Sequence, residues 1–326
     1  MKREITSKWA ALAMFSLASI AVSHAQFKLI VAETPAGSVG PGQWMGVRRY
    51  DVAGTGGAAV LGNGIAASQV SDPAGLAVSS TGEIFVGNRH GNSAASSISR
   101  FAYSSGTDTY VSNGVITGNG LFGTHGLNFG PTGELFASNV NGPVSRFTFA
   151  GAVASPNGTL GSGPSRDVFL SGDGRWAYVT QGVSGNLLKY DVATGNLVNT
   201  FAISGAGGLH NGNWRGNSLF VAGFNSSSVH EIRFDANGDV VSSAMVASTA
   251  QAISLAFSPD GAEMFVASHT SGSINRFLNS GGSWVGNGSI VTGVNMGDIH
   301  VVPEPASLAV LGLGVAALLR RRRVTK

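Results

Sequence analysis

Between residues 27 and 302 the chain is a succession of short apolar stretches, each closed by a polar, glycine-rich turn. Short apolar stretches separated by glycine-rich turns are the mark of strands. Runs of Ala, Leu, Glu and Lys long enough to build helices are missing from this region, so the pattern predicts an all-β body of many short strands.

The stretches repeat. A basic residue followed by an aromatic one recurs as Arg49-Tyr50, Arg100-Phe101, Arg146-Phe147, Lys189-Tyr190, Arg233-Phe234 and Arg276-Phe277, at intervals of 51, 46, 43, 44 and 43 residues. Ahead of the last five lies a strand, a turn and a second strand. The turns hold Thr81-Gly82, Thr132-Gly133, Asp173-Gly174, Gly216-Asn217 and Asp260-Gly261, pairs that supply the positive φ of tight hairpins. Leu76, Leu127, Val168, Leu209 and Leu255 mark the first strands; Phe85, Phe136, Tyr178, Phe220 and Phe265 mark the second. With a variable fourth strand, each unit is the four-stranded blade of a β-propeller. Phe27 to Ala32 and Trp44 to Asp51 supply the second and third strands of one more blade, whose missing first strand is Asp298 to Val301. The expected fold is therefore a six-bladed propeller over residues 26–302, closed by strands from both ends of the chain.

The blades resemble those of NHL-type and lactonase-like propellers, with Ser258-Pro259-Asp260-Gly261 as the best local match. That resemblance implies a fold and leaves the activity open.

The flanks read as addresses. Lys2, Arg3 and Lys8 precede an apolar run from Trp9 to Val22 and the small-residue site Ser23-His24-Ala25. This is the layout of a secretory signal peptide, residues 1–25, removed by signal peptidase. At the other end Val302 leads into Pro303-Glu304-Pro305, an apolar segment from Leu308 to Leu319, and Arg320, Arg321, Arg322 and Arg323. Residues 303–326 thus predict a short membrane helix with its arginines on the cytoplasmic side. The tripeptide, short helix and basic end resemble the PEP-CTERM sorting signal. The resemblance implies an exosortase as processing partner, a transient anchor in the inner membrane, and delivery to the outer surface or extracellular matrix of a Gram-negative bacterium, often one that makes exopolysaccharide.

Charge and composition narrow the partners. The chain has a net charge of +3, but its leader and tail hold eight of the 20 basic residues, leaving 12 basic against 15 acidic side chains in the body. Without a basic stripe the body is not a nucleic-acid binder. With no cysteine there are neither disulfides nor thiolate metal sites.

No nucleophile elbow, zinc-protease motif or P-loop is present. The candidate chemistry lies on the first strands, which line a propeller's channel. His210 and His300 share their third position, and His125 directly precedes such a strand. Three imidazoles there could bind a ligand, hold a metal or stay as channel-lining hydrogen-bonding groups. Asp167 and Asp298 share the first position, where other blades have Gly75, Gly126, Gly208 and Ser254. With Asn128 and Asn211 nearby they are the candidate site for a divalent cation, the one cofactor considered, against a capping or ion-pairing role with Arg166. Asp235 to Asp239 reads as a hairpin turn. Departures from the repeat offer ligand candidates: Arg89 and His90 in the long loop 88–97, and Trp44 in the loop 36–45. The basic-aromatic pairs, present in every unit, read as packing between blades.

Three functions follow. One is a non-enzymatic binding, adhesion or matrix propeller, with polysaccharide as a candidate partner, and a second is a purely architectural protein that fills a surface layer or polysaccharide matrix. The alternative is a metal-dependent lactonase-like hydrolase or lyase built on Asp167, Asp298 and the three histidines.

Overall fold

A computed structural model describes residues 27–34, 46–52 and 60–303. The signal peptide, Trp44 with its loop, Glu304, Pro305, the apolar segment and Arg320 to Arg323 lie outside the described residues. The described chain forms twenty-four strands in six antiparallel sheets of four. Blade 1 is β1 (Phe27–Thr34), β2 (Val47–Val52) and β3 (Val60–Ile65), completed by β24 (Asn295–Pro303). Blade 2 is β4 (Pro73–Val78), β5 (Ile84–Asn88), β6 (Ser97–Ser104) and β7 (Thr109–Ile116). Blade 3 is β8 (Thr124–Phe129), β9 (Leu135–Asn139), β10 (Gly142–Ala150) and β11 (Val153–Leu160). Blade 4 is β12 (Asp167–Leu170), β13 (Trp176–Thr180), β14 (Asn186–Asp191) and β15 (Leu197–Ala202). Blade 5 is β16 (Leu209–Arg215), β17 (Ser218–Gly223), β18 (Ser228–Phe234) and β19 (Val240–Ser248). Blade 6 is β20 (Ala252–Phe257), β21 (Glu263–Ser268), β22 (Ser273–Ser280) and β23 (Ser283–Val291).

The innermost strands touch in the cyclic order β24, β4, β8, β12, β16, β20 and back to β24, so the ring is closed. β24 lies against β1 from Phe27 opposite Pro303 to Ala32 opposite Asp298, as expected from the two incomplete ends. The core is divided among the six blade interfaces, each a slab of apolar side chains. Aromatic residues recur at equivalent places in these slabs: Phe85 meets Phe129 and Phe149, Tyr178 meets Trp214 and Phe234, and Phe220 meets Phe257 and Trp284.

The basic residue of the repeat sits opposite the marker of the second strand. Ile30 faces Arg49, Phe85 faces Arg100, Phe136 faces Arg146, Tyr178 faces Lys189 and Phe265 faces Arg276. In three blades a glutamate grips the guanidinium from the same face: Glu83 on Arg100 at 2.9 Å, Glu134 on Arg146 at 2.9 Å and Glu263 on Arg276 at 2.6 Å. The cation also reaches the following blade. Arg100 donates to the Ala152 carbonyl, Arg146 to that of Val192 and Lys189 to that of Asn237. Arg49 makes a two-pronged bond to Asp108 at 2.6 and 2.8 Å, which holds that carboxyl well below the usual range. The pairs are thus fasteners between neighbouring blades.

Blade 5 departs from the expected register. Phe220 faces Glu231, not Arg233, and Arg233 is displaced by two residues with its side chain 64% exposed. On the first strand Gly212, not Leu209, faces Val221. The hairpin here turns between Arg215 and Ser218, shorter than its counterparts, so the strands run further before turning. The third strand is thus displaced by two residues and the first by three from the register that the repeat predicts.

Candidate functional site

The inner strands run in one direction, from a mouth where they begin to the opposite face. Their register follows from the pairs Leu127–Ala137, Val168–Val179 and Gly212–Val221. Counting two residues back from each places His125, Arg166 and His210 at one equivalent position in blades 3, 4 and 5. The same position in blades 2, 6 and 1 holds Ala74, Ile253 and Gly297. Half of the mouth is therefore cationic or imidazole, and half is small or apolar.

A second set comes from the residues just beyond the second strands. Arg89, Phe224 and His269 follow β5, β17 and β21. The His125 and His210 rings lie 5.8 Å apart in an edge-on arrangement, His210 lies 5.3 Å from Phe224, and Phe224 lies 5.6 Å from His269. His269 donates its Nδ1–H to the Met296 carbonyl at 2.7 Å, which leaves Nε2 as the free nitrogen. Arg89 is steadied by Asp72 at 2.7 Å.

Several polar groups here have no partner among the described residues. His125 and His210 are 2% and 7% exposed, and the Nδ1 of each is unbonded. Asn211, 1% exposed, has both amide atoms unbonded, and Arg89 has a free Nε. Arg166 makes no ion pair with any described residue. Its side chain crosses Gly182, where a Cβ would fall 2.3 Å from the Arg166 Cγ, so a glycine with φ +76° clears its path.

The electrostatics agree with the geometry. Burial, then Arg166, Arg89 and His210, push the His125 imidazole well below its ordinary value. Burial, followed by Arg166, His269 and Arg89, brings His210 down to about 3. Arg166 is lowered too, by burial and by Arg89. At neutral pH both buried imidazoles are uncharged beside two guanidinium groups. The unbonded Arg89 Nε–H and Asn211 Nδ2–H are donors beside positive charge, which suits an oxyanion.

One residue further into the channel lies the carboxylate pair. Asp167 accepts from its own strand at Val168 N, 2.8 Å, and from the next blade at Gly212 N, 3.3 Å. Asp298 accepts from Ile299 N at 2.8 Å, from Leu76 N of one neighbouring blade at 2.7 Å, and from Ser254 Oγ of the other at 2.5 Å. Both clip adjacent inner strands together. Asp167 is raised well above its ordinary value by burial and then by Asp298, so the carboxyls share one field. Among the described residues no group of three or more His, Asp or Glu side chains is placed to hold a metal ion.

The structure thus gathers His125, His210 and Arg89 and leaves other candidates outside. His300 lies opposite Ile30, three residues along its strand from the position of His125, or about 10 Å. The expected equivalence of His210 with His300 fails because of the blade 5 register; His210 is equivalent to His125. By the same shift Asn211, not Gly208, is the counterpart of Asp167. His90 turns toward Ser97 Oγ at 3.4 Å, in a loop tied to blade 3 through Ser96 Oγ to Gly123 N at 2.7 Å and Asn92 O to Asn141 Nδ2 at 2.8 Å. Pro303 is the last residue of β24. Arg166 and His269 were not singled out as site residues. The signal for Arg166 was its place immediately before Asp167, legible once the first strands are in register.

These features define an all-β propeller with a basic channel mouth, and its architecture is shared with solved structures. A putative 6-phosphogluconolactonase from Bacteroides fragilis matches with TM-score 0.61 and 15% identity over 86% of this chain and 99% of that one. The periplasmic gluconolactonase of Pseudomonas aeruginosa matches with TM-score 0.57 and 20% identity over 86% of each chain. A chain of a nidogen/laminin complex matches with TM-score 0.61 and 11% identity over 85% and 98%. At such identities the likeness shows the fold alone. Comparison with curated protein sequences gives no match. Residues 301–323 match the PEP-CTERM protein-sorting motif, so the chain is a six-bladed propeller that carries this motif, which implies export, surface sorting in a Gram-negative cell and processing by an exosortase.

Proposed function

We propose that the protein is a non-enzymatic surface or matrix propeller whose channel mouth binds an anionic ligand, such as the carboxylate of an acidic exopolysaccharide. The observation that carries the reading is Arg166: a partly buried guanidinium with no counter-ion among the described residues, close to Arg89, whose Nε–H is unbonded. A bound carboxylate would supply the missing charge and accept from Arg166 in the two-pronged geometry that guanidinium favours. Calorimetric titration tests this. Galacturonate and polygalacturonate should bind saturably, while galactose should not bind at the mouth. Equal binding of galacturonate and galactose, or none of either, contradicts the reading.

A second reading is a lactone hydrolase. Neutral imidazoles with an unbonded nitrogen, in His125 and His210, are the form a general base needs, and gluconolactonases share the fold. Under it Asp167 and Asp298 would carry a divalent cation, although their oxygens already accept backbone N–H groups. Turnover of glucono-δ-lactone that is lost in His210→Asn, together with a stoichiometric metal ion in the purified protein, would favour this reading over the first.

A further inference from the structure

On the face opposite the mouth, blades 4 and 5 leave a cleft of about 560 Å³ walled by Trp176, Tyr178, Trp214 and Phe234. The equivalent cleft between blades 2 and 3, walled by Phe85, Phe129 and Phe149, is about 250 Å³. The difference has a residue-level origin. Where blades 2, 3 and 6 place Glu83, Glu134 and Glu263 against an arginine, blade 4 has Trp176. Among the described residues no carboxylate–guanidinium fork crosses this cleft. Lys189 instead lies 4.0 Å over the Trp176 ring and bonds Asp239 at 2.8 Å, with the Arg175 guanidinium 4.3 Å from the same ring. Trp176 is thereby fixed as the back wall.

Trp214 is the other wall. It is partly exposed, and its Nε1–H is buried without an acceptor among the described residues. The rim carries Asp173, Asn217 and Asp235, all exposed and rich in hydroxyl-accepting oxygens. Flat aromatic walls suit the C–H face of a sugar ring, and rim carboxylates and an amide suit its hydroxyls. Lys189 is paired with Asp239 and Arg175 offsets only one of the two rim carboxylates, Asp173 and Asp235, so the rim keeps a net negative charge that disfavours acidic sugars. We propose that this cleft is a carbohydrate subsite that takes one pyranose ring of a neutral glycan, independently of the mouth.

Tryptophan fluorescence of the purified protein titrated with cellotriose, maltotriose, laminaritriose and chitotriose tests it. At least one should change the emission saturably. Trp214→Phe, which keeps the packing and loses the N–H, should weaken that binding at least about tenfold. Asn217→Ala, on an exposed turn, should weaken it without affecting folding and decides the matter if Trp214→Phe does not fold. Arg166→Gln should leave it unchanged. The proposal is overturned if no trisaccharide gives a saturable change, if folded Trp214→Phe and Asn217→Ala bind as the parent does, or if Arg166→Gln abolishes binding, which would place the sugar at the mouth.

Discussion

His210 shows how burial sets chemistry at a single residue. Its ionisation falls from the ordinary 6.5 to about 3 in the folded protein. Above about pH 6.5 the imidazole is neutral in both states and adds no pH dependence. Below it the unfolded chain takes up a proton that the folded protein refuses, so the stability contribution is lost as pH falls from 6.5 toward 3. Asp167 acts in the opposite direction: its carboxyl keeps a proton that the unfolded chain has released, so that contribution is lost as pH rises above its ordinary 3.8. His210→Asn should therefore flatten the acid limb of the stability curve by up to about 1.4 kcal/mol per pH unit. Urea denaturation between pH 4 and 6 measures this; an unchanged slope would show that His210 is not buried as a neutral ring. The sequence named His125 and His210, and the structure joins them. It could not show that His300 stands apart, because the short blade 5 hairpin displaces the inner strand by three residues, putting Gly212 where Leu209 was expected. Arg166 went unassigned because a lone arginine before a strand has no periodicity to mark it.

At the scale of elements, the repeated cation makes each blade fasten itself and its neighbour. The Glu263–Arg276 pair is 5% and 2% exposed. Removing one partner leaves a buried charge, so Glu263→Gln should destabilise the protein by about 3 kcal/mol. Replacing both with leucine should cost much less, because no charge is left behind. Equilibrium denaturation of the three proteins distinguishes this from a surface pair, for which Glu263→Gln would lie within about 1 kcal/mol of the parent. The strands themselves were legible from glycine-containing turns and the recurring basic-aromatic pairs. The ion-pair partner was not, since Glu83, Glu134 and Glu263 stand at slightly different distances before their arginines. Only pairing brings them to one place. Trp176 shows the same limit: its departure from the glutamate position becomes visible once Tyr178 is set opposite Lys189.

At the scale of the molecule, the six interfaces depend on a closed ring, and closure depends on β24. Ile299 is fully buried in the slab between blades 6 and 1. Ile299→Ala should cost about 3 kcal/mol, seen as a lower urea midpoint with the same slope. A broken, multi-step transition would instead show that blade 1 unfolds separately from the rest. The two-ended closure was readable in advance because Ile299 matched Leu76 and the first blade lacked its inner strand. The function was less readable, since His125, Arg166 and His210 come together from three blades at a position that the repeat does not mark.

On the proposed function, the mouth leaves Arg166 uncompensated among the described residues so that it can receive an anion. The most direct test of this is the Arg166→Gln protein, with galacturonate affinity and thermal midpoint measured together. Affinity should fall at least about tenfold while the midpoint holds or rises, because a partly buried charge repelled by Arg89 has been removed. An unchanged affinity with a lowered midpoint would show that Arg166 serves the fold, and the claim would be wrong.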